Sequence, residues 1–277
     1  MEWKPELFPD YYLDSFLGEG PVTSVFRVFA KRLSEAGILK VLKPDFPYPA
    51  QGVGFLQREI DLLSMVQVHG IPRLLFDGID QKLPFFVASV LEGRDLRKEL
   101  SVLYSFSELK TISIARQVLS ILAYLHEKGF THGDIKPENI LISSTGEVGL
   151  VDFAFSRNLR NSNPVDAKIL LGTPNYMAPE LCGDTPVVSK ANDVFSLGVL
   201  IYELLTGEMP FPRGGVSQTL ARHQSDPLAR LGSKLGDFNP YFVEIVESML
   251  AFDFENRPGA MDLKDQLLGV EIELMQR

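Results

Sequence analysis

The chain is short of cysteine, of basic charge and of long apolar runs, and each shortage closes off a class of protein. Cys182 is the only cysteine in 277 residues. No internal disulfide can form, and a lone thiol suits a reducing compartment. Lys plus Arg number 27 against 36 Asp plus Glu, a net charge of −9. Such a balance argues against nucleic-acid binding, which needs a basic patch, and no polybasic segment is present to hold an anionic membrane. The most apolar stretch, Val194 to Leu205, contains Glu203 and falls short of the ~20 residues that span a bilayer. It reads as a buried helix, so no membrane insertion is expected. The start, Met1-Glu2-Trp3-Lys4-Pro5, has no apolar signal region, and neither end carries a lipidation motif. A cytoplasmic protein is the expectation. Repeats and low-complexity tracts are missing too, and His69, His126 and His223 show no metal-site spacing.

What is present is a globular composition, with 45% apolar and 23% charged residues. From Tyr11 to Leu42 short β-like stretches such as residues 24–29 alternate with polar turns. Residues 54–66 read as helix after a proline-rich loop at 44–49, and residues 84–91 as a strand running into a turn. Beyond Gly93 the texture is mostly helical. Ala115, Val118, Leu119, Leu122 and Leu125 line one face of a helix over 107–127, with Ser105 and Glu108 as its capping box. A second helix over 192–206 stops at Gly207. A β-rich part followed by a helical part, joined near 89–95, predicts two lobes, a hinge and a ligand cleft.

Several short stretches carry residues suited to chemistry. In His132-Gly133-Asp134-Ile135-Lys136-Pro137-Glu138-Asn139, an acid, a cation and an amide recur within one loop. Alone, this is as readily a polar turn. Asp152 follows a short apolar strand, a good position for a Mg²⁺ ligand. Gly18-Glu19-Gly20 lies between two strands, where glycines let backbone N–H groups approach phosphates. Lys40 ends a strand and Glu59 lies 19 residues on, in the helical segment. Such a pair steadies a phosphate chain or is a surface ion pair of little worth.

Together, these motifs resemble the eukaryotic-type Ser/Thr protein kinase family, over about residues 11–267. The resemblance implies an α+β bilobal fold: a β-rich N-lobe over 1–88 with one main helix, a hinge over 89–95, and a helical C-lobe over 96–277. It implies ATP and Mg²⁺ as cofactors and a protein substrate with a Ser or Thr acceptor. Lys40 would hold the α- and β-phosphates and Glu59 would hold Lys40. Asp134 would accept or orient the hydroxyl proton, Lys136 would steady the γ-phosphoryl, and Asn139 and Asp152 would ligate Mg²⁺. Gly18, Glu19, Gly20, Val25, Ile38, Leu141 and Asp95, which could bond the ribose, would line the nucleotide site. Ala88 would be the gatekeeper, small enough to leave space behind the adenine, and Ser89, Val90 and Leu91 the hinge. Gly172-Thr173-Pro174 through Ala178-Pro179-Glu180 resembles the end of an activation segment, making Thr173 a catalytic-loop contact. Asp193 with Gly198 matches the start of the large central helix, and Arg257 would pair with Glu180. Lys136 and the Gly-Thr-Pro spelling are similar to Ser/Thr rather than Tyr kinases.

The departures from that pattern are specific. Gly133 replaces the Arg that grips an activation-segment phosphate, so activity independent of Ser162 phosphorylation is expected, with Arg157 as one remaining cation. Ala154 replaces a Gly and would be strained if φ is positive there. Thr23 replaces the third loop glycine, and Ile38 stands where the family usually has Ala. These departures leave two alternatives: a pseudokinase scaffold, and a small-molecule phosphotransferase sharing the His-Gly-Asp loop. The intact side chains oppose the first and residues 172–180 oppose the second.

Overall fold

Alternating apolar side chains build an antiparallel sheet in the N-terminal part. Its strands are β1 (Tyr11–Glu19), β2 (Thr23–Ala30), β3 (Ala36–Leu42), β4 (Leu74–Gly78) and β5 (Phe85–Ser89), in the order β1-β2-β3-β5-β4. This computed structural model describes residues 5–31, 35–160, 172–182, 185–210 and 238–276. Phe26 and Val28, Leu39 and Val41, and Phe85 and Val87 meet with Phe8 in one core. The register sets Leu39 opposite both Phe26 and Val87, so these residues form cross-strand rows on one face. Their neighbours Val25, Ile38, Lys40, Phe86 and Ala88 fall on the other face by the two-residue period.

Helix α1 (Pro49–Met65) buries Leu56, Glu59, Ile60, Leu62 and Leu63 at spacings of a helical stripe. It begins earlier than residue 54. Pro49 opens the helix rather than closing the preceding loop, because at the first position its missing N–H has no partner to lose.

The chain divides into two compact units. One runs up to Gln67 and includes Ile71–Glu92; the other comprises Val68–Gly70 and the chain from Gly93. The second unit holds helices α2 (Leu96–Leu103), α3 (Glu108–Lys128), α4 (Lys190–Thr206), α5 (Pro240–Met249) and α6 (Ala260–Met275). Its short strands are β6 (Arg94–Asp95), β7 (Phe130–Thr131), β8 (Ile140–Ile142), β9 (Val148–Leu150) and β10 (Arg157–Asn158).

Helix α3 buries the anticipated Ala115, Val118, Leu119, Leu122 and Leu125 and packs on α4 and α6. Its cap differs from the expected one. Ser107, not Ser105, accepts the Lys110 N–H at 3.3 Å. Glu108 is the first helical residue, and its carboxylate accepts the Asn239 N–H at 2.8 Å instead of closing a capping box. The helix stops at Gly129, whose φ of 87° is one that a side chain would resist. Helix α4 is buried continuously from Asn192 to Leu205, which accounts for its apolar run. Among the described residues, no helix is long and apolar enough to cross a membrane.

Candidate active site

In the second unit the site is organised around Asp193, at the start of α4. Its Oδ2 accepts the His132 N–H at 2.9 Å and its Oδ1 the Gly133 N–H at 2.8 Å. His126 Nε2 lies 2.9 Å from Oδ2. Burial works to raise this carboxyl, but the His126 hydrogen bond, the attraction of both histidines and the Gly133 N–H outweigh it, and the group is held below the usual carboxylate value. Asp193 thus fixes the loop between β7 and β8 by its backbone.

His132 is fully buried, with its ring 4.9 Å from that of Phe153. Its Nδ1 accepts the Asp134 N–H at 3.2 Å, so the neutral ring carries its proton on Nε2. Burial holds the imidazole below its ordinary value of 6.5, against the attraction of Asp193, Asp134 and Asp152. An unfolded chain protonates this histidine as pH falls through about 6.5 while the folded one resists. Its contribution is therefore complete above that pH and lost below it. Replacing His132 by Phe should flatten the fall in thermal midpoint between about pH 7.5 and pH 5.5. An unchanged slope would contradict this account.

Gly133 has φ of 81°, and a Cβ there would sit 2.3 Å from the Phe155 carbonyl oxygen. Any other residue would have to push backbone aside, which explains glycine at this position in this chain.

Asp134 is nearly inaccessible, and all its contacts are donors. Oδ1 accepts the Thr173 N–H and the Thr173 hydroxyl, both at 2.8 Å. Oδ2 accepts from Asn139 Nδ2 at 3.0 Å and lies 2.6 Å from Lys136 Nζ. Lys136 also donates to Thr173 Oγ1 at 2.9 Å. The anticipated acid, cation and threonine therefore converge on one point. Asn139 Nδ2 donates to the Asp134 carbonyl as well, at 2.9 Å, which commits the amide nitrogen and leaves Oδ1 as the end for a cation.

The Asn139 carbonyl accepts the Val151 N–H at 3.0 Å, tying this loop to the chain that leads into Asp152. Asp152 itself has φ of 66°. The condition for strain at Ala154 is not met: among the described non-glycine residues only Tyr104 and Asp152 have positive φ. The left-handed position in this turn falls on the aspartate, a residue type that tolerates it. An amide oxygen and a carboxylate are hard donors that fit Mg²⁺, which takes few protein ligands and completes its shell with water and phosphate.

Asp95 and Leu141 are register partners on β6 and β8. The Asp95 carboxylate caps α2, accepting the Lys98 N–H at 2.9 Å, and pairs with Lys98 Nζ at 2.8 Å. It is the helix cap before it is anything else.

In the first unit, Lys40 and Glu59 form a salt bridge with side chains only 12% and 4% exposed. Val25 and Phe86 sit directly opposite Lys40 on either side, and Ala88 opposite Ile38. Val25, Ile38 and Ala88, three of the residues selected from the sequence, thus share the face that carries Lys40. Gly18 and Gly20 have open space where a Cβ would stand. Near Glu19, Lys43 Nζ lies at 3.8 Å and also donates to the Gly20 carbonyl at 3.4 Å. Ser89 exchanges backbone and side-chain hydrogen bonds with Arg73, at 2.8 and 2.9 Å. Val90 and Leu91 are half-buried. Ser162 lies outside the described residues.

One network escaped the sequence reading. Arg97 on α2 donates to Glu138 in the loop between β7 and β8 at 2.8 Å, to Glu203 of α4 at 2.8 Å and to the Tyr176 hydroxyl at 2.7 Å. Tyr176 donates in turn to Glu203. Nothing in local spacing marks residues 97, 138, 176 and 203 as partners. The anticipated Glu180–Arg257 pair is present and bidentate, at 2.6 and 2.9 Å.

The protein kinase domain family matches residues 11–268. Serine/threonine-protein kinase PknL of Mycobacterium tuberculosis is 31% identical over 237 residues, covering 85% of this chain and 59% of PknL. Probable serine/threonine-protein kinase pknA2 of Bifidobacterium longum is 26% identical over 245 residues, 87% of this chain and 32% of its own length. Human 3-phosphoinositide-dependent protein kinase 1 is 28% identical over 259 residues, 92% of this chain and 45% of its own. The chain therefore spans between a third and three fifths of the length of these relatives. With a family match over nearly its whole length and the loop geometry just described, the chain belongs to the protein kinase domain family.

Proposed function

We propose that this domain transfers the γ-phosphoryl of ATP to serine or threonine hydroxyls of a protein substrate, with Mg²⁺ as its metal and the cytoplasm as its compartment. The observation that supports this most is the Asp134 carboxylate, held by Thr173, Lys136 and Asn139 in a buried loop. The transfer needs alignment and charge neutralisation more than covalent help. Asp134 orients the acceptor hydroxyl and takes its proton. Lys136 offsets charge on the transferring group. Asn139 and Asp152 would hold Mg²⁺, which when bound neutralises the phosphate oxygens. Lys40, paired with Glu59, would hold the α- and β-phosphates, and the Gly18-Glu19-Gly20 backbone would approach the phosphate chain. Val25, Ile38 and Ala88 of the first unit would contact the base, the Ser89, Val90 and Leu91 backbone would read its edge, and Leu141 is the residue of the second unit assigned to the same ligand. Asp95 reaches the ribose only by sharing its capping role.

The decisive assay is incubation with labelled ATP, Mg²⁺ and a generic Ser/Thr substrate, with Asp134→Asn and Asp152→Asn as controls. Label transfer lost in both variants supports the reading. Thermal stabilisation by ATP without transfer would favour a scaffold, and transfer only to an aminoglycoside or choline a small-molecule phosphotransferase.

The same reading extends to regulation. Gly133 offers no cation to a phosphate, and Gly172 packs so close to the Gly133 carbonyl that a Cβ would stand 3.1 Å from its oxygen. Backbone packing and the Thr173–Asp134 hydrogen bonds hold the end of the activation segment without a phosphate. Ser162→Ala should therefore keep turnover within about 3-fold of wild type. A collapse in rate would refute phosphorylation-independent activity.

A further inference from the structure

Helix α6 carries two apolar stripes, and its own fold uses one. Leu263, Leu267 and Val270 are buried, and the helix packs on α3 and α5. The buried Glu271 carboxylate pairs with Arg116 of α3, which fixes the rotation of the helix. Met261, Leu268, Ile272 and Met275 remain between 37% and 66% exposed. At about 100° per residue these four fall within about 60° of one another. Single exposed apolar residues are ordinary, whereas four in line on a rigidly held helix mark an interaction surface.

The charge around this stripe is of one sign. Asp265 lies at its edge, with Asp262 and Glu273 beyond it on the same side, all exposed; Lys264, on the other side, is the one cation of the helix. The neighbouring α5 adds Glu244 and Glu247 and no cation. Two copies of such a face repel each other, and an anionic bilayer repels it as well. On the acidic side Gly269 has open space where a Cβ would stand. Packing within this chain does not call for glycine there, and its absent side chain lets a second backbone come close.

We propose that this face of α6 docks a basic amphipathic helix of a partner protein. The partner lays its apolar stripe along Met261, Leu268, Ile272 and Met275 and sets its Lys or Arg side chains over Asp262 and Asp265. Apolar anchors at helical spacing supply the affinity, and the opposite charges select the partner and its orientation. The two methionines suit a surface that accepts more than one apolar sequence. None of these residues belongs to the site assigned to phosphoryl transfer, so docking adds a second means of choosing a partner.

The test is fluorescence anisotropy with a labelled Leu/Lys peptide of about 18 residues, patterned as an amphipathic helix. A scrambled peptide of the same composition and a Leu/Glu peptide of the same pattern are the comparisons. Each is titrated with wild type, Leu268→Gln/Ile272→Gln and Asp262→Asn/Asp265→Asn, with thermal midpoints as the folding control. Wild type should bind the patterned Leu/Lys peptide with a Kd of about 1–20 μM and the scrambled one at least about 10-fold more weakly. The glutamine variant should lose about 10-fold or more. The asparagine variant should lose about 3–10-fold at low salt and less at high salt. If the glutamine variant does not fold, the scrambled peptide and the asparagine variant decide. No binding by wild type at about 100 μM overturns the proposal. So does equal binding of the scrambled or the Leu/Glu peptide, or an affinity unmoved in the glutamine variant. Self-association of wild type, or its binding to phosphatidylserine vesicles, if abolished by Leu268→Gln/Ile272→Gln, assigns the face to another occupant and overturns it too. The readout is binding alone, so the proposal stands or falls separately from the phosphoryl-transfer reading.

Discussion

Asp134→Asn should lower turnover by about 10²–10⁴-fold, the range expected for loss of a positioned proton acceptor. The expectation follows from how the carboxylate is used. Each of its oxygens accepts two donors: the Thr173 amide and hydroxyl on one, Asn139 and Lys136 on the other. An asparagine keeps one acceptor and turns an NH₂ toward two groups that also donate. Lys136 then loses its anchor at the moment the proton acceptor is removed. The loop should still form, because Asp193 holds it through the His132 and Gly133 N–H groups rather than through Asp134. Circular dichroism should thus resemble wild type while the phosphorylation rate collapses. A folded variant with turnover within about 10-fold of wild type would show that Asp134 is not the proton acceptor.

Glu180→Ala should be the most destabilising single change among the ion pairs, by about 3–5 kcal/mol. The Arg257 side chain is fully buried, and Glu180 is its carboxylate partner. Arg257 also donates to the Ala251, Ala191 and Phe252 carbonyls and packs over the Phe195 ring at 4.8 Å. Removing Glu180 leaves that cation buried with neutral partners alone. At roughly 2–4 °C per kcal/mol for a domain of this size, the thermal midpoint should drop by about 6–20 °C. Replacing both partners with apolar residues of similar volume should recover most of the loss, since an unpaired buried charge costs more than the pair contributes. A midpoint within about 2 °C of wild type in Glu180→Ala would place the pair among weak surface contacts instead.

Much of the fold was legible because it rests on periodicity. The β-like stretch over residues 24–29 and the stripe from Ala115 to Leu125 both appear as read, the first as a strand and the second as one buried helix face. What failed was local punctuation. Pro49 looks like an end to a loop but is equally suited to opening a helix. Ser105 and Ser107 are both plausible caps, and only the bond to Lys110 separates them. The site residues were legible as motifs because a loop that must gather an acid, a cation and an amide keeps them within a few positions. Contacts between distant segments were not. Arg97 meets Glu138, Glu203 and Tyr176 through the packing of three elements, and no spacing carries that information. Ile38 and Ala88 were each conspicuous, but their adjacency is a matter of strand register, which a list of residues does not contain.

The lone thiol has a practical use. Cys182 is buried, and burial, with a smaller push from Glu180, lifts it to about 11. Near neutral pH almost none of it is the thiolate that alkylating reagents attack. A cysteine introduced at an exposed position would then be labelled selectively, with the native one left in place. Spectroscopic probes could be attached to either unit without first building a cysteine-free background.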